Sequence, residues 1–565
     1  MECTNDLTIG KLIKEYIGQN KHIFVMYVVF VLLIPLQDVG MPHLLGRLVK
    51  TIQNKESLKV PLAMIIGVIF LLQVVYSIED QVDVRMFPTI QKFTRDKMLE
   101  HLFNMQRTNY QELQVGEVTT KIIKMPALMY SYMDQWKNLF IPRTVVFIVA
   151  IIYFFYQDWV IGLSLLILVL SLAVSVITSI KWCTGLAKRR DSVYNALYEE
   201  VDDVLRNALT VLNYNQEDAE LKRIDTYHEE YARLSQEALI CASRTRYTFI
   251  PIICFYLAFF TLYTYKRVTG GQMEPSAFVA LFFIMIQITN SMWRIIGNVK
   301  EAVMRWGMIQ ETLDIFQVCE KYKEHRDTVA TLGKSMPGIY IKDIMYKHEG
   351  RKDPLLDGFN LYIPQGEHVL IVGHIGSGKS TILKLMMKYA EADAGEIYVN
   401  NVPYSKMKAS DLRRFVGYVP QNPILFNRSV YENITYGIIR HDISKQLVWD
   451  LIYELGLNSV LPENLDDPVG KYGSKVSGGQ RQVIWILRTI LQDPDVVLMD
   501  EPTSSMDEVT KGKIHKALDR LMTGKTVIMV THDAYLMRYA SRIVELDHGV
   551  IVDDHSSKSP SSPPK

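Results

Sequence analysis

Six long apolar runs dominate the first 300 residues of the chain. Each approaches the roughly 20 residues that an α-helix needs to cross a hydrocarbon core about 30 Å thick. The runs lie near residues 23–43, 60–78, 139–156, 159–180, 249–265 and 277–296. The fourth run contains no charged residue, which is more typical of a membrane span than of a core helix in a water-soluble domain. The pattern therefore predicts six transmembrane helices.

The segments between these runs alternate between short and long. The short segments predict tight turns on one side of the membrane. The long ones, about residues 81–138 and 181–248, are charged and have the periodicity of helices. We expect them to extend the spans as helices on the other side. The first ten residues are polar and partly acidic, so we expect neither a signal peptide nor a mitochondrial transit sequence.

After the sixth run the pattern changes to that of a water-soluble α/β domain. Residues 321–337 are polar and predict a linker. Residues 554–565 are rich in serine and proline and predict a disordered tail. The sequence thus predicts a multidomain protein, with an all-α six-helix transmembrane domain over residues 1–320 and an α/β domain over residues 338–553.

Composition and charge narrow the possible partners. The chain has 62 Lys and Arg against 61 Asp and Glu, a formal net charge of +1, so no strong basic field exists to bind nucleic acid. The cysteines are not arranged as CxxC pairs, which argues against a zinc site and against the disulfide framework of a secreted domain. We expect small buried or membrane-facing thiols at Cys3, Cys183, Cys241, Cys254 and Cys319.

A phosphate-binding motif follows the apolar segment HVLIV in the second half. The sequence GHIGSGKS matches the P-loop pattern GxxxxGK[ST] between a predicted strand and a predicted helix. Glycines let the backbone N–H groups of such a loop point at phosphate oxygens, and the helix N-terminus adds partial positive charge. We expect Lys379 to reach the β and γ phosphates of ATP and Ser380 to bind Mg²⁺. The predicted phosphate contacts are Gly373, His374, Ile375, Gly376, Ser377, Gly378, Lys379, Ser380 and Thr381.

Two adjacent carboxylates end a second apolar strand, Val496–Met499. An acidic residue at the tip of a buried strand beside a P-loop suits a Mg²⁺ ligand held through water, which is the role predicted for Asp500. Glu501 comes next and is predicted to orient and deprotonate the water that attacks the γ-phosphate.

A third anion-binding segment lies between these two motifs. Ser477-Gly478-Gly479-Gln480 precedes a predicted helix and resembles the LSGGQ signature of ATP-binding-cassette proteins, with Val476 in place of leucine. In that family the signature of one cassette closes on the γ-phosphate held by the P-loop of another. Because the chain has one P-loop and one signature, the resemblance implies that it works as a dimer, either with a second copy or with a different half-transporter.

Other motifs of that family follow in order. Gln421 resembles the Q-loop glutamine, which touches Mg²⁺, and residues 504–507 resemble the D-loop. His532 matches the switch histidine that contacts the γ-phosphate. The resemblance therefore implies a catalytic set of Glu501, His532 and Lys379.

The chain departs from the family pattern at two places. The position of the aromatic residue that stacks on adenine holds His348, with Tyr346 two residues earlier, so either ring is a candidate. Lys471 stands where exporters commonly have an acidic residue that contacts the membrane domain. Neither departure affects the phosphate chemistry.

The membrane half extends the resemblance. Asn109–Glu112 and Val115–Val118 resemble the first coupling helix of B-type exporters, whose half-transporters carry six spans and one cassette. This implies the type IV exporter fold, RecA-like cassettes in the cytosol, and ATP-driven export of a solute by alternating access. The alternative from another class is an ATP-gated channel or a regulatory protein that uses the same fold without net pumping.

A polar stripe in the sixth run offers a sequence signal for the cargo; the aromatic fifth run could also bind apolar drugs or lipids, but membrane packing explains it more simply. Its residues recur every three or four positions, so they share one helix face, which is costly against lipid and is expected to line the substrate cavity. Arg294 favours an anionic or peptide-like solute; alternatively it snorkels to the membrane boundary or pairs with a carboxylate such as Asp38. Small molecules, lipids and peptides all remain candidate substrates. The predicted cavity residues are Asp38, Gln287, Asn290, Arg294 and Asn298.

Overall fold

The described part of the chain forms two compact units, a helical one before residue 320 and an α/β one after it. The computed structural model describes residues 3–5, 8–105, 115–314, 317–319, 338–348, 353–399, 402–438 and 443–556. The predicted linker, Asn109–Glu112 of the predicted coupling segment, and the tail from residue 557 lie outside these ranges.

The first unit consists of helices and one short strand pair. Its helices are α1 (Ile9–Gln19), α2 (Lys21–Leu33), α3 (Met41–Gln53), α4 (Lys59–Met105), α5 (Val115–Gln135), α6 (Ile141–Gln157), α7 (Trp159–Arg206), α8 (Ala208–Asn213), α9 (Glu217–Thr269) and α10 (Pro275–Asp314). The strands β1 (Cys3–Asn5) and β2 (Gln317–Cys319) pair in antiparallel fashion.

The six predicted spans are confirmed as helices that are long and apolar enough to cross a membrane. They lie within Lys21–Gln53, Lys59–Phe103, Val118–Gln157, Trp159–Arg206, Glu217–Thr269 and Pro275–Asp314. With 47 residues at 1.5 Å per residue, α4 is about 70 Å long, more than twice the hydrocarbon thickness. The helices α7 and α9 are longer still. As expected, the charged segments between the runs continue the spans as helices.

Two of the spans pass through a π-helical turn next to a proline. In the first span the turn Leu36–Gly40 joins α2 to α3, and in the third the turn Trp136–Phe140 joins α5 to α6. Each following helix begins with proline at its second position, Pro42 or Pro142. Proline has no N–H to donate to the preceding turn, so the backbone ladder widens there instead of continuing regularly.

The helices α7 and α9 pack along each other, and a disulfide joins them. Cys183 and Cys241 are bonded, with Cα atoms 5.8 Å apart. The expectation of free thiols is therefore wrong at these two positions, because a separation of 58 residues gives no sign that two long helices bring the side chains together. Cys254 is a free and exposed thiol. Cys3 and Cys319 are register partners of β1 and β2.

The second unit contains two sheets. Its strands are β3 (Ile339–Tyr346), β4 (Leu356–Ile363), β5 (His368–Gly373), β6 (Ala394–Val399), β7 (Val402–Pro403), β8 (Val416–Val419), β9 (Val496–Asp500), β10 (Thr526–Val530), β11 (Arg542–Asp547) and β12 (Val550–Ser556). One sheet has the order β12-β11-β5-β10-β9-β8 and is parallel except for β12, and the other has the order β4-β3-β6-β7.

The parallel sheet is the core of the unit. Every residue of β9 and β10 is buried, as expected for central parallel strands that are covered on both faces. The helices of this unit are α11 (Lys379–Met386), α12 (Ala409–Phe415), α13 (Val430–Ile434), α14 (Lys445–Glu454), α15 (Gly478–Gln492), α16 (Glu508–Met522) and α17 (Ala534–Met537). This is the predicted α/β class, and the carboxyl ends of its parallel strands meet at one edge of the sheet.

The last strand extends beyond the predicted start of the tail. The sequence places residues 554–565 in a disordered tail, whereas β12 continues through Ser556. Asp554 accepts two hydrogen bonds from Arg542, Nε to Oδ1 and Nη2 to Oδ2, both at 2.7 Å. This pairing with β11 holds a stretch whose own sequence has too few apolar residues to indicate a strand.

Candidate nucleotide site and membrane charge cluster

The P-loop lies at the carboxyl edge of the parallel sheet, between β5 and α11. Gly373 ends β5 with a φ of +150°, and a Cβ at this position would lie 2.1 Å from the carbonyl oxygen of Leu546 in β11. Only glycine can bring the loop this close to the neighbouring strand. Ser377 is buried in the loop, and its Oγ has no hydrogen-bond partner among the described residues. A buried hydroxyl without a partner is suited to meet a ligand oxygen.

Lys379 occupies the loop with its ammonium group bound to the protein. Its Nζ donates to the carbonyl oxygens of Gly373 at 2.8 Å and His374 at 2.7 Å. The side chain therefore already lies along the loop. To contact a phosphate it must exchange two carbonyl acceptors for phosphate oxygens, which are better acceptors because they are charged.

The predicted Mg²⁺ ligands Ser380 and Asp500 are brought together. The Ser380 hydroxyl hydrogen-bonds the Asp500 carboxylate at the end of β9, and Tyr418 Oη donates to Asp500 Oδ2 at 3.5 Å. Burial raises the pKa of Asp500 above its ordinary value, and the neighbouring Glu501 carboxylate raises it further. A nearby cation would favour the charged form, and the oxygen donors present are of the kind Mg²⁺ prefers. The residues fit Mg²⁺, and Tyr418 is a contact that the motifs did not indicate.

Glu501 follows β9 in a strained backbone conformation. Its φ is +45°, in the left-handed region that is uncommon for residues other than glycine. Its N–H donates to the carbonyl oxygen of Val530 at 2.7 Å, which ties this turn to β10. Gln421 Nε2 donates to Glu501 Oε2 at 2.9 Å. Two residues 80 positions apart, predicted separately, thus meet at the same edge of the sheet.

His532 lies two residues beyond the end of β10, the strand between β5 and β9. Its side chain is exposed, whereas the preceding Thr531 is buried. Thr531 Oγ1 accepts a hydrogen bond from the N–H of Asp533 at 3.0 Å, which fixes the turn on which His532 stands. The histidine therefore projects from the same sheet edge as Asp500 and Glu501.

The signature segment begins helix α15, as predicted. Ser477 is the N-cap: its Oγ accepts from Gln480 N at 3.1 Å, and its own N–H donates to Gln480 Oε1 at 2.8 Å. This capping box leaves the first-turn amides of Gly478 and Gly479 without intrahelical acceptors, which is the arrangement of an anion site. No hydrogen bond joins these residues to the P-loop in the part of the chain that the structure describes.

The two candidate base-stacking rings touch each other. The rings of Tyr346 and His348 are nearly perpendicular, at 84°, with centroids 5.2 Å apart. Tyr346 is half-buried against the hydrophobic core, whereas His348 is exposed. Lys471, the other departure from the family pattern, is exposed and lies 5.3 Å over the ring of Tyr472.

In the helical unit, a buried ion pair includes one of the sequence-predicted cavity residues and lies within electrostatic range of another. Asp38, in the first π-helical turn, is buried and pairs with Arg143 of α6. Arg143 Nη1 also contacts Ser291 Oγ at 3.3 Å, and its Nε has no partner among the described residues. Arg294 lies within electrostatic range of Asp38 without forming an ion pair with it. The ion-pair partner of Asp38 in this structure is thus Arg143, a contact that the sequence did not assign.

The polar stripe of α10 lies on the outward face of that helix. Asn290 and Arg294 are exposed, and Gln287 and Asn298 are half-buried. Asn298 is held in place because its Nδ2 donates to the Arg294 carbonyl at 2.9 Å, and its own carbonyl accepts from Gln135 Nε2 at 3.1 Å.

The comparisons with known proteins agree with this architecture. The family model for the ABC transporter transmembrane region matches residues 24–292, and the model for the ABC transporter domain matches residues 356–504. The chain is 28% identical over 404 residues to the ATP-dependent lipid A-core flippase of Vibrio vulnificus, covering 71% of this chain and 68% of the flippase. It is 27% identical over 467 residues to the heavy metal tolerance protein of Schizosaccharomyces pombe, covering 81% of this chain and 55% of that protein.

A solved structure shows the same fold. A bacterial Atm1-family ABC exporter with ATP bound superposes with a TM-score of 0.83 and 20% identity, covering 95% of both chains. Because this chain carries the transmembrane region and the ATP-binding domain once each and in that order, it belongs to the ABC transporters and has the organisation of an exporter half-transporter.

Proposed function

We propose that the chain, as a dimer with a second copy or with another half-transporter, exports an anionic solute from the cytosolic side of a membrane by alternating access. ATP hydrolysis drives the transport. The observation that carries the ATPase half is the convergence of Ser380, Asp500, Gln421 and Glu501 at one edge of the parallel sheet. The proposal of an anionic substrate rests on the excess of cationic side chains around Asp38.

The nucleotide chemistry follows from the positions of these side chains. Lys379 binds the β and γ phosphates after leaving its two carbonyl acceptors. Ser380 and Asp500 would hold Mg²⁺, which would supply positive charge to offset that of the phosphates. Glu501 accepts the proton of the attacking water, and Gln421 positions its carboxylate through the 2.9 Å hydrogen bond. His532 donates to the γ-phosphate.

The second cassette completes the site. The capped N-terminus of α15, with Ser477 and the amides of Gly478 and Gly479, binds the γ-phosphate held by the other cassette's P-loop. ATP then favours the closed pair of cassettes because it contacts both, and its hydrolysis removes that shared ligand. Opening and closing of the cassettes moves the membrane helices.

The Glu501→Gln variant tests the assigned base. We expect it to bind ATP with the affinity of the parent and to lose at least ~100-fold in turnover, the contribution of a positioned general base. Glu508→Gln is the matched control, because Glu508 is 88% exposed and, among the described residues, pairs only with Lys511 at the start of α16. ATPase activity and ATP binding are measured on purified protein in liposomes. Parent-like turnover of Glu501→Gln would refute the assignment.

The cargo proposal rests on the charges near the first π-helical turn. Arg143 and Arg294 supply two cations against the single carboxylate of Asp38. Asp38 is already paired with Arg143, so the exposed guanidinium of Arg294 is the group left to attract an anion. An uncompensated charge within a span faces protein or a water-filled cavity rather than lipid.

Transport by the Arg294→Gln variant tests this proposal. Proteoliposomes are assayed with carboxyfluorescein as an anionic probe and rhodamine 6G as a cationic one. We expect the ratio of anion to cation transport to fall about tenfold in Arg294→Gln and to stay unchanged in Arg305→Gln, whose arginine pairs with Glu301 further along α10. An unchanged ratio in Arg294→Gln refutes the anionic class. ATP turnover without transport of any probe, together with voltage-driven leak, would favour a channel.

A further inference from the structure

A partly open apolar pocket lies beside the N-terminal helix of the helical unit. Its volume is about 360 Å³, at the lower end of the roughly 300–1,000 Å³ typical of ligand sites. The walls come from α1 and the start of α2, from α4, and from α5 with the second π-helical turn. Lys137 is the only charged lining residue, and its ammonium pairs with Asp83 and Glu79.

The packing of α1 keeps this pocket open. Tyr16 is buried and shares a 2.9 Å hydrogen bond with Thr89 of α4, and its ring lies 5.5 Å from that of Phe93. On the other side Tyr27 Oη donates to the carbonyl oxygen of Lys137 at 2.9 Å. These contacts hold α1 and α2 against two other helices while Ile13 and Ile17 face the cavity between them. The pocket is therefore built into the fold.

The position of the pocket points to lipid. Its walls come from residues where apolar runs begin or end: Ile23 and Phe24 start the first, Val82 follows the second, and Ile141 lies at the start of the third. Phe24 and Trp136 are more than 40% exposed at its edge. Aromatic side chains at such a level are typical of the boundary between membrane and water.

The charges around α1 select the head group. The helix is amphipathic: Ile9, Leu12 and Tyr16 are buried against the protein, so its polar side faces outward. Lys14 of α1 and Lys21, the first residue of α2, are exposed. Basic residues on the polar side of an interfacial helix attract anionic lipids.

We propose that this pocket binds one acyl chain of an anionic membrane phospholipid, whose head group lies against Lys14 and Lys21. The acyl chain fills the apolar space between Ile17 of α1 and Met133 of α5. The occupant is a resident lipid, not cargo. The proposal does not depend on which solute is exported.

The test uses the full-length protein in nanodiscs with phosphatidylglycerol that carries a photoreactive diazirine in one acyl chain. Labelled sites are mapped by mass spectrometry. We expect label on the pocket residues of α1 and α5, reduced at least tenfold by Ile17→Trp, which fills the space, and also by Met133→Trp from the opposite wall. Ile66→Trp is the matched control, because Ile66 of α4 is 65% exposed on the lipid side. Near-parent thermal unfolding shows that the filled variants fold.

Three outcomes would overturn the proposal. Label spread evenly over all six spans, or unchanged by both filling variants, would show that the pocket binds no lipid. Equal competition by unlabelled phosphatidylglycerol and phosphatidylcholine would refute an anionic head-group site. Loss of the phosphatidylglycerol preference in a Lys14→Gln/Lys21→Gln variant would support that site. Label that leaves the pocket during ATP turnover but stays in Glu501→Gln would identify the occupant as cargo.

Discussion

Gly373 offers a quantitative test of how the phosphate loop is built. In Gly373→Ala the new Cβ would lie 2.1 Å from the carbonyl oxygen of Leu546, against the 3.4 Å at which ordinary contacts begin, so the two must separate by about 1.3 Å. Both residues belong to paired strands, because Leu546 and Gly373 are register partners in β11 and β5. A φ of +150° adds strain of roughly 1–3 kcal/mol for alanine.

The matched control is another glycine of the same loop. Gly376 has a φ of +86°, but a Cβ there meets no atom within 4 Å, so Gly376→Ala carries only conformational strain of roughly 1–2 kcal/mol. We expect Gly373→Ala, with strain and a backbone clash, to lose about 3 kcal/mol or more. If the loop must regain its geometry to bind phosphate, that loss weakens ATP binding about 100-fold, against roughly tenfold for Gly376→Ala.

The assay is titration of the purified protein with a fluorescent ATP analogue, together with its thermal unfolding midpoint. The lower midpoint of Gly373→Ala should rise less with added ATP than that of the parent, because ligand stabilises only in proportion to its affinity. Equal ATP affinities for the two glycine variants would refute the reasoning, since they would show that contact with β11 does not shape the loop.

Two further predictions concern the same unit. His348→Ala should weaken ATP binding about fivefold, the value of one aromatic stacking contact of ~1 kcal/mol, whereas Tyr346→Leu, which removes the other ring, should bind like the parent. The reverse ranking in the titration would assign the base to Tyr346. Arg542 lowers the pKa of Asp554. The ion pair therefore stabilises the fold at pH values above the ordinary pKa of a carboxyl group, and this stabilisation is lost as the pH falls through the lowered pKa. Asp554→Asn should therefore lower the free energy of unfolding by ~1 kcal/mol at pH 7, a value kept small by solvent exposure, and should not change it well below pH 3.8. A difference in unfolding free energy between parent and variant that does not depend on pH would contradict the ion pair.

The sequence predicted most reliably what is local. The P-loop lies between a strand and a helix as expected, because a run of eight residues specifies the turn, and the signature begins a helix because Ser477 and Gln480 cap it three residues apart. The six spans are equally local, since apolar length alone indicates them. That the nucleotide-site motifs work together as an ATPase site stays a prediction for the experiments above.

What the sequence could not indicate is pairing between distant positions. Asp38 and Arg143 are 105 residues apart. Nothing in the sequence around Asp38 favours Arg143 over Arg294 as its partner. The same holds for Cys183 and Cys241, whose contact depends on how α7 and α9 pack. The strand through Asp554 is set by its neighbour Arg542, because its own polar composition argues for disorder. In each case a three-dimensional contact overrides the local pattern.

The two π-helical turns connect the charge cluster to movement of the helices. Pro42 and Pro142 cannot donate to the preceding turn, so the backbone next to each already lacks a regular hydrogen bond, and bending costs less there than elsewhere in the spans. Asp38 lies within the first of these turns, and Arg143 directly follows the proline of the second. Because the ion pair links the two weak points, a bend at either one must move the other or break a buried pair. The anion proposed to bind at Arg294 would compete with Asp38 for Arg143, and its binding would then bias the bend.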